Sequence, residues 1–258
     1  MSERAVDRTL DALRPAAGAI VLDTGCGSGE MLLRALERDP TWRGLGVDLD
    51  EDAIAEARRR AAERLPGRDV RFEVRDAGAV SGRHDAVLNV GSSHVHGGYP
   101  GALGVLRGLV ADGGAVVFGE GYWREPPSDA FLAALGGATE DELDTFGGLR
   151  SAAVAAGFEI EAVAEADDAD WTRYEETLAA NAERAGDPDS LAYARRIRER
   201  RGCPAGRARS ASRCSCCAPL SGPAPATGRS RRTRRSRAGR PARRGWRPRT
   251  ARRRAACA

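Results

Sequence analysis

The chain of 258 residues contains no lysine and no glutamine, the usage expected of a GC-rich gene. All of its basic charge is therefore arginine, and it is unevenly placed. Residues 1–201 hold 24 arginines against all 37 acidic residues, a net of −13, whereas residues 202–258 hold 17 arginines and no acid, a net of +17. The overall charge of +4 describes neither part. Cysteine is scarce in the first part, where only Cys26 occurs, and the other five lie in the second. A single thiol cannot build a disulfide framework and points to a reducing, cytoplasmic setting. No run of 18 apolar residues and no signal-peptide pattern is present, so no membrane span is expected.

Residues 202–258 also lack Val, Ile, Phe, Tyr, Met and Asn, with Leu220 and Trp246 as their only large apolar side chains. Such a segment buries too little surface to offset its ordering entropy, and it is expected to be a disordered tail following a folded domain at 1–201. Its composition is that of a GC-rich gene read out of frame. Back-translated from residue 205 and read from the third base of each codon, it permits W-x-x-x-L-G-F-A-L-F-L-L-R-P, an apolar run like a missing last strand. The alternatives are a genuine arginine-rich arm for nucleic acid and, on Cys214-Ser215-Cys216-Cys217, a metal cluster.

The most informative stretch is Val21-Leu22-Asp23-Thr24-Gly25-Cys26-Gly27-Ser28-Gly29-Glu30, a buried strand that stops at three glycines and enters a helix. That pattern cradles a nucleotide-like cofactor on backbone amides. Spacing narrows the choice, because a dinucleotide fingerprint is G-x-G-x-x-G. Counted from Gly25 and Gly27, the third place here is Glu30. A nicotinamide oxidoreductase is disfavoured on that ground.

Further strands follow at 44–48, 70–74, 85–90 and 115–120, separated by helical patterns, including apolar positions Ile54, Ala57, Ala61 and Leu65. This alternation predicts an α/β fold, a Rossmann-like, doubly wound, mostly parallel sheet with flanking helices. Beyond it, 140–156 reads as helix, 158–164 as extended, and 171–201 as helix interrupted near Gly186. In such sheets ligands sit beyond the carboxyl ends of the strands.

The residues at those ends are accordingly the candidates. Asp48, with Leu49 after it, closes the second strand 19 residues beyond Gly29, where an acid accepts ribose hydroxyls. Asp76 and Ala77 follow the third strand and face an adenine, although a helix-capping role competes for Asp76. Asp23 is read as ordering the glycine turn, and Cys26 as small filler, since no activating base accompanies it. His94 and Glu120, after the fourth and fifth strands, are the candidate catalytic groups; His96 is the weaker histidine and His84 a structural one. Ser93, His94, Tyr122, Trp123 and Tyr174 are the candidate substrate contacts.

With V-L-D-x-G-C-G-x-G and G-V-D, residues 18–120 resemble the class I S-adenosylmethionine (SAM) dependent methyltransferases. The closer likeness is to bacterial small-molecule methyltransferases with G-S/A-S/T-H-x-x-G-G after the fourth strand, here 91–98, and G-E-x-Y/F-W-R-x-x-P after the fifth, here 119–126. Their D-D-x-W-x-x-Y-E element is matched loosely by Asp167 or Asp168, with Trp171, Tyr174 and Glu175. The resemblance implies SAM as cofactor and a small-molecule acceptor. Thr24 inside the glycine motif and everything after Arg201 depart from the pattern.

Nucleic-acid acceptors fit poorly. Leu88-Asn89-Val90-Gly91 is no Asn-Pro-Pro-Tyr site, no Pro-Cys nucleophile exists, and a body of −13 repels phosphate. Two other readings stay open: an inactive or unstable methyltransferase fragment, and nucleic-acid binding through the basic tail. The sequence specifies no oligomeric state and no membrane partner.

Overall fold

The computed structural model describes residues 3–135, 138–202 and 218–221. Helix α1 (Glu3–Asp11) precedes strand β1 (Ile20–Thr24), and α2 (Glu30–Leu36) follows the glycine turn. Then come β2 (Arg43–Asp48), α3 (Glu51–Arg64), β3 (Val70–Val74), β4 (His84–Val90), α4 (Tyr99–Leu109) and β5 (Val110–Gly119). Helices α5 (Asp129–Ala134) and α6 (Phe146–Ala155), strand β6 (Glu159–Ile160), helices α7 (Asp168–Ala185) and α8 (Pro188–Gly202), and strand β7 (Ala218–Ser221) complete the described chain.

The sheet order is β3-β2-β1-β4-β5-β7-β6. The first five strands run parallel, and β7 runs antiparallel to both neighbours. The chain reverses direction across the sheet between β1 and β4, which creates the crevice where open α/β sheets hold ligands.

Two-residue periodicity divides the strands between two cores. Val21, Ala86, Leu88 and Val117 face one way, onto Leu10, Leu32, Leu33, Leu36, Ile54 and Ala57 of α1, α2 and α3. Leu22, Val87, Val116 and Phe118 face the other way, onto Leu103 and Leu106 of α4 and Ala153 of α6. Strands buried on both faces need continuous apolar runs, and these are the runs visible in the sequence.

Three elements differ from the sequence reading. The helix expected over 140–156 is broken: Glu140–Glu142 forms one short turn and α6 starts anew, capped by the Thr145 side chain, which accepts the Gly148 amide. Asp144, between them, accepts the Tyr99 hydroxyl at 2.5 Å, and its carbonyl accepts the Trp123 amide. Those long-range bonds hold Asp144 out of a helix. The extended segment at 158–164 shrinks to two strand residues.

The third difference concerns the arginine-rich segment, of which 218–221 form β7 rather than disorder. Ala115 to Phe118 pair with Ser221 to Ala218, so the strand that looked absent is supplied from beyond the boundary at 201. Backbone ladders need no particular side chain, which is why composition hid it. Pro219 lacks an amide proton, yet it sits opposite Val117 and past the two residues that β6 pairs. The other expectations for the tail, disorder and the cysteine cluster included, concern residues outside those described.

Candidate functional site

The crevice is built from the carboxyl ends of β1, β2, β3, β4 and β5. β1 ends at Thr24, and the amides of Gly25 and Cys26 both donate to the Val47 carbonyl, at 2.9 and 3.0 Å, bending the chain over β2. Gly27 lies at φ +50, a left-handed conformation that side chains rarely adopt, and a Cβ there would meet nothing within 4 Å. The conformation strains any other residue, and the space in front of it is open. Of the three motif glycines, Gly27 alone has open space over its Cα, since a Cβ on Gly25 would strike Ser92 and one on Gly29 would strike Phe72.

Asp48 locks this turn. Its Oδ2 accepts the Gly27 amide at 2.7 Å and its Oδ1 accepts the Asp50 amide at 3.0 Å. Asp50 in turn caps α3 through the amides of Asp52 and Ala53. A carboxylate has about four acceptor positions, so two remain on Asp48 for hydroxyl groups of a ligand. Leu49, beside it, is 67% exposed and offers an apolar face.

Asp23 sits beneath the turn, 2% exposed, with its Oδ2 lacking a hydrogen-bond partner. Burial, and secondarily the negative charge of Asp48, push its pKa up to about 7 against the opposing hydrogen bond from Leu32. Burial, with Asp23 and Asp48 nearby, also raises the Cys26 thiol far above its ordinary range. A thiol so protonated is no nucleophile, consistent with filler: its Sγ would lie 2.9 Å from a Cβ at Gly46.

At β3 the two competing roles of Asp76 both have a physical basis. Its Oδ1 accepts the Gly78 amide at 2.8 Å and caps the turn Ala77–Ala79, while the side chain stays exposed at the rim. Ala77 is 4% exposed and forms the floor behind it.

After β4 the chain makes a tight turn, Ser93–His96, that reverses the order of the histidines. Ser93 is buried, His94 is exposed, and His96 is half-buried with its Nε2 lacking a partner. Burial lowers the His96 pKa, opposed by the Asp76 carboxylate. Sequence placed the stronger candidate at His94; the structure turns His96 inward, because a turn of three residues per revolution carries no apolar periodicity from which to read direction. His84 lies at the far end of β4 with Nδ1 3.3 Å from the Leu109 carbonyl, a structural position as expected.

At β5, Glu120 accepts its neighbouring Gly121 amide on Oε1 at 2.8 Å, while Oε2 is buried without a partner. Tyr174 is half-exposed on α7 against Trp171, with ring centroids 5.3 Å apart. Shielding of the phenol, then Tyr193, Glu120 and Glu175, raise its pKa. Glu120 thus lies within electrostatic range of Tyr174, 54 residues further on in sequence.

The other aromatic candidates are packing residues. Tyr122 is buried against Phe146 at 5.3 Å, with its hydroxyl 3.3 Å from Glu165. Trp123 is 5% exposed, edge-on to Phe131, and its Nε1 donates to the Glu140 carbonyl at 2.8 Å. The indole has no polar group left for a substrate and stands in the core of a side cluster. A G-E-x-Y-W pattern does not distinguish wall from core, since both use aromatics. Sequence reading missed Thr24, Asn89 and Ser92, which form a buried polar network; an asparagine inside the apolar run of β4 was the available signal.

An open backbone cradle, a carboxylate with spare acceptor positions and an apolar neighbour suit an adenosine-bearing group. Together with the strand order, they are the features of the class I SAM-dependent methyltransferase fold, which this chain has. Residues 21–114 match the family model described as a methyltransferase domain. An uncharacterized Escherichia coli protein, YjhP, is 34% identical over 166 residues, 63% of this chain and 66% of that protein. The demethylmenaquinone methyltransferase of Thermus thermophilus is 36% identical over 131 residues, 50% of this chain and 56% of its own length. In sequence, then, the chain spans 56 to 66% of these two relatives. In structure the coverage is wider: the X-ray structure of YjhP superposes with a TM-score of 0.72 at 27% identity, covering 86% of this chain and 94% of that one. A SAM-dependent methyltransferase from Thiobacillus denitrificans, solved with S-adenosyl-L-homocysteine, gives 0.71 at 26% identity, covering 86% and 92%.

Proposed function

We propose that this chain transfers a methyl group from SAM to a small-molecule acceptor in the cytoplasm. The observation that carries the reading is the Asp48 carboxylate bound to the Gly27 amide at the open point of the turn. Gly27 leaves room for the cofactor while Gly25 and Gly29 shape the turn around it, Asp48 takes the ribose hydroxyls, Leu49 and Ala77 flank the adenine, and Asp76 accepts from its amine. Asp23 steadies the turn and the cationic end of the cofactor.

SAM supplies the reactive methyl on a sulfonium, so the protein's task is alignment and, for an acceptor that loses a proton, a base. Glu120 is suited to that task by its buried, unpartnered carboxylate oxygen at the end of β5. His94 and Ser93 close the same crevice from the β4 side. Support for a small acceptor comes from the charge of −13 over residues 1–201, which repels a phosphate backbone. Among the described residues no helix is long and apolar enough to cross a membrane.

Calorimetry with SAM, S-adenosylhomocysteine and NAD tests the cofactor. Micromolar binding of the first two and none of NAD is the expected result; binding of NAD alone overturns it.

A further inference from the structure

Thr24, where the glycine motif departs from the family pattern, is fully buried and turned toward β4. Its Oγ1 donates to the Leu88 carbonyl at 3.2 Å and accepts from Asn89 Nδ2 at 3.0 Å. The same Nδ2 reaches the carbonyls of Thr24 at 3.2 Å and Ser92 at 3.4 Å, and Ser92 Oγ donates to the Thr24 carbonyl at 2.8 Å. Asn89 is also fully buried, and its Oδ1 has no donor, so donation alone fixes the orientation of the amide.

These bonds join two functional segments. Thr24 is the last residue before the cofactor turn, and Ser92 starts the loop 91–98 that carries Ser93, His94 and His96. The Ser92 carbonyl also accepts the Val95 amide at 3.2 Å, extending the network into the loop's own turn. Ser92 packs so tightly on Gly25 that a Cβ there would stand 2.5 Å from its own. An all-apolar contact could close this gap equally well, but it would not fix direction; hydrogen bonds do.

We propose that Thr24 and Asn89 are positioning residues, which register the acceptor loop 91–98 to the cofactor turn and so set the line between methyl donor and acceptor. The proposal rests on the methyltransferase reading for its purpose, though not for its geometry. In-line transfer is sensitive to displacements of about 1 Å, which cost on the order of 100-fold in rate.

The test is hydrogen exchange on the T24V/N89V chain, in which both polar partners become apolar together and the fold loses little. The near-isosteric T24V alone serves if the double variant does not fold. Without ligand, the amides of Val95, Gly97 and Gly98 should exchange at least about ten-fold faster than in the wild type, with β1 and β4 unchanged and T24S behaving as wild type. With S-adenosylhomocysteine, the wild type should show slower exchange in this loop and the double variant should not. Unchanged loop rates, or a rise spread evenly over β1 and β4, overturn the proposal. A wild-type chain that binds no S-adenosylhomocysteine defeats the cofactor reading, while the ligand-free rates still decide the pinning.

Discussion

Phe72 on β3 lies against the backbone of Gly29, so close that a methyl group on that glycine would stand 2.7 Å from the ring. Gly27, two residues earlier, faces only open space. One motif therefore uses glycine for two purposes, packing at one position and ligand approach at the other. Gly29→Ala should destabilise the protein by about 2 kcal/mol or more, since it adds a clash to left-handed strain. Gly27→Ala should cost about 1–2 kcal/mol, for strain alone, yet weaken SAM binding at least ten-fold. Thermal melts and calorimetry on the pair check the contrast; equal effects on both quantities would refute it.

Asp48→Ala removes the brace on the turn and the ribose acceptor together. Loss of two charge-assisted hydrogen bonds should weaken SAM binding ten-fold or more, at least about 1.4 kcal/mol. Unchanged affinity rejects the role.

Asp23 gives stability a dependence on pH. With the folded pKa raised to about 7 and the unfolded one near the ordinary carboxylate value, the neutral carboxyl favours folding fully below about pH 4. That contribution fades as pH rises through 7. Between pH 5 and 8 the wild type should lose about 3 kcal/mol more than Asp23→Asn, measured by urea unfolding at the two pH values. Parallel curves for the two proteins would contradict the buried, protonated state.

Cys26 should resist alkylation. At pH 8 iodoacetamide should leave it unmodified while the native fold persists, because burial and two carboxyl neighbours suppress the thiolate. Peptide mapping by mass spectrometry reads this directly. Rapid labelling at Cys26 would show an activated thiol.

Truncation separates the two halves of the arginine-rich segment. Ending the chain at residue 201 removes β7, uncovers β5 along Ala115 to Phe118 and strands β6, and should lower the melting temperature by about 10 °C or more. Ending it at residue 225 keeps β7 and should leave the melting temperature within about 2 °C.

The parallel core was legible because strands buried on both faces are apolar along most of their length, as in Ala86-Val87-Leu88 of β4. The cofactor turn was legible because bare backbone needs glycine at fixed spacing. Side-chain direction beyond the strands was not: His94 and His96 differ by two residues in a short turn, and only tertiary packing decides which faces in. Trp123 looked like a pocket wall because core and pocket share aromatic composition. β7 was hidden for a different reason, since its place in the sheet rests on main-chain bonds offered by the open flank of β5, to which residue type contributes little.

The position of β7 has a consequence for how the molecule is made. Strand β5 is complete at residue 119, but its partner arrives only with residue 218, nearly 100 residues later. A nascent chain thus carries an uncovered sheet margin while about 100 further residues are made, and a chaperone has that margin to protect until β7 follows.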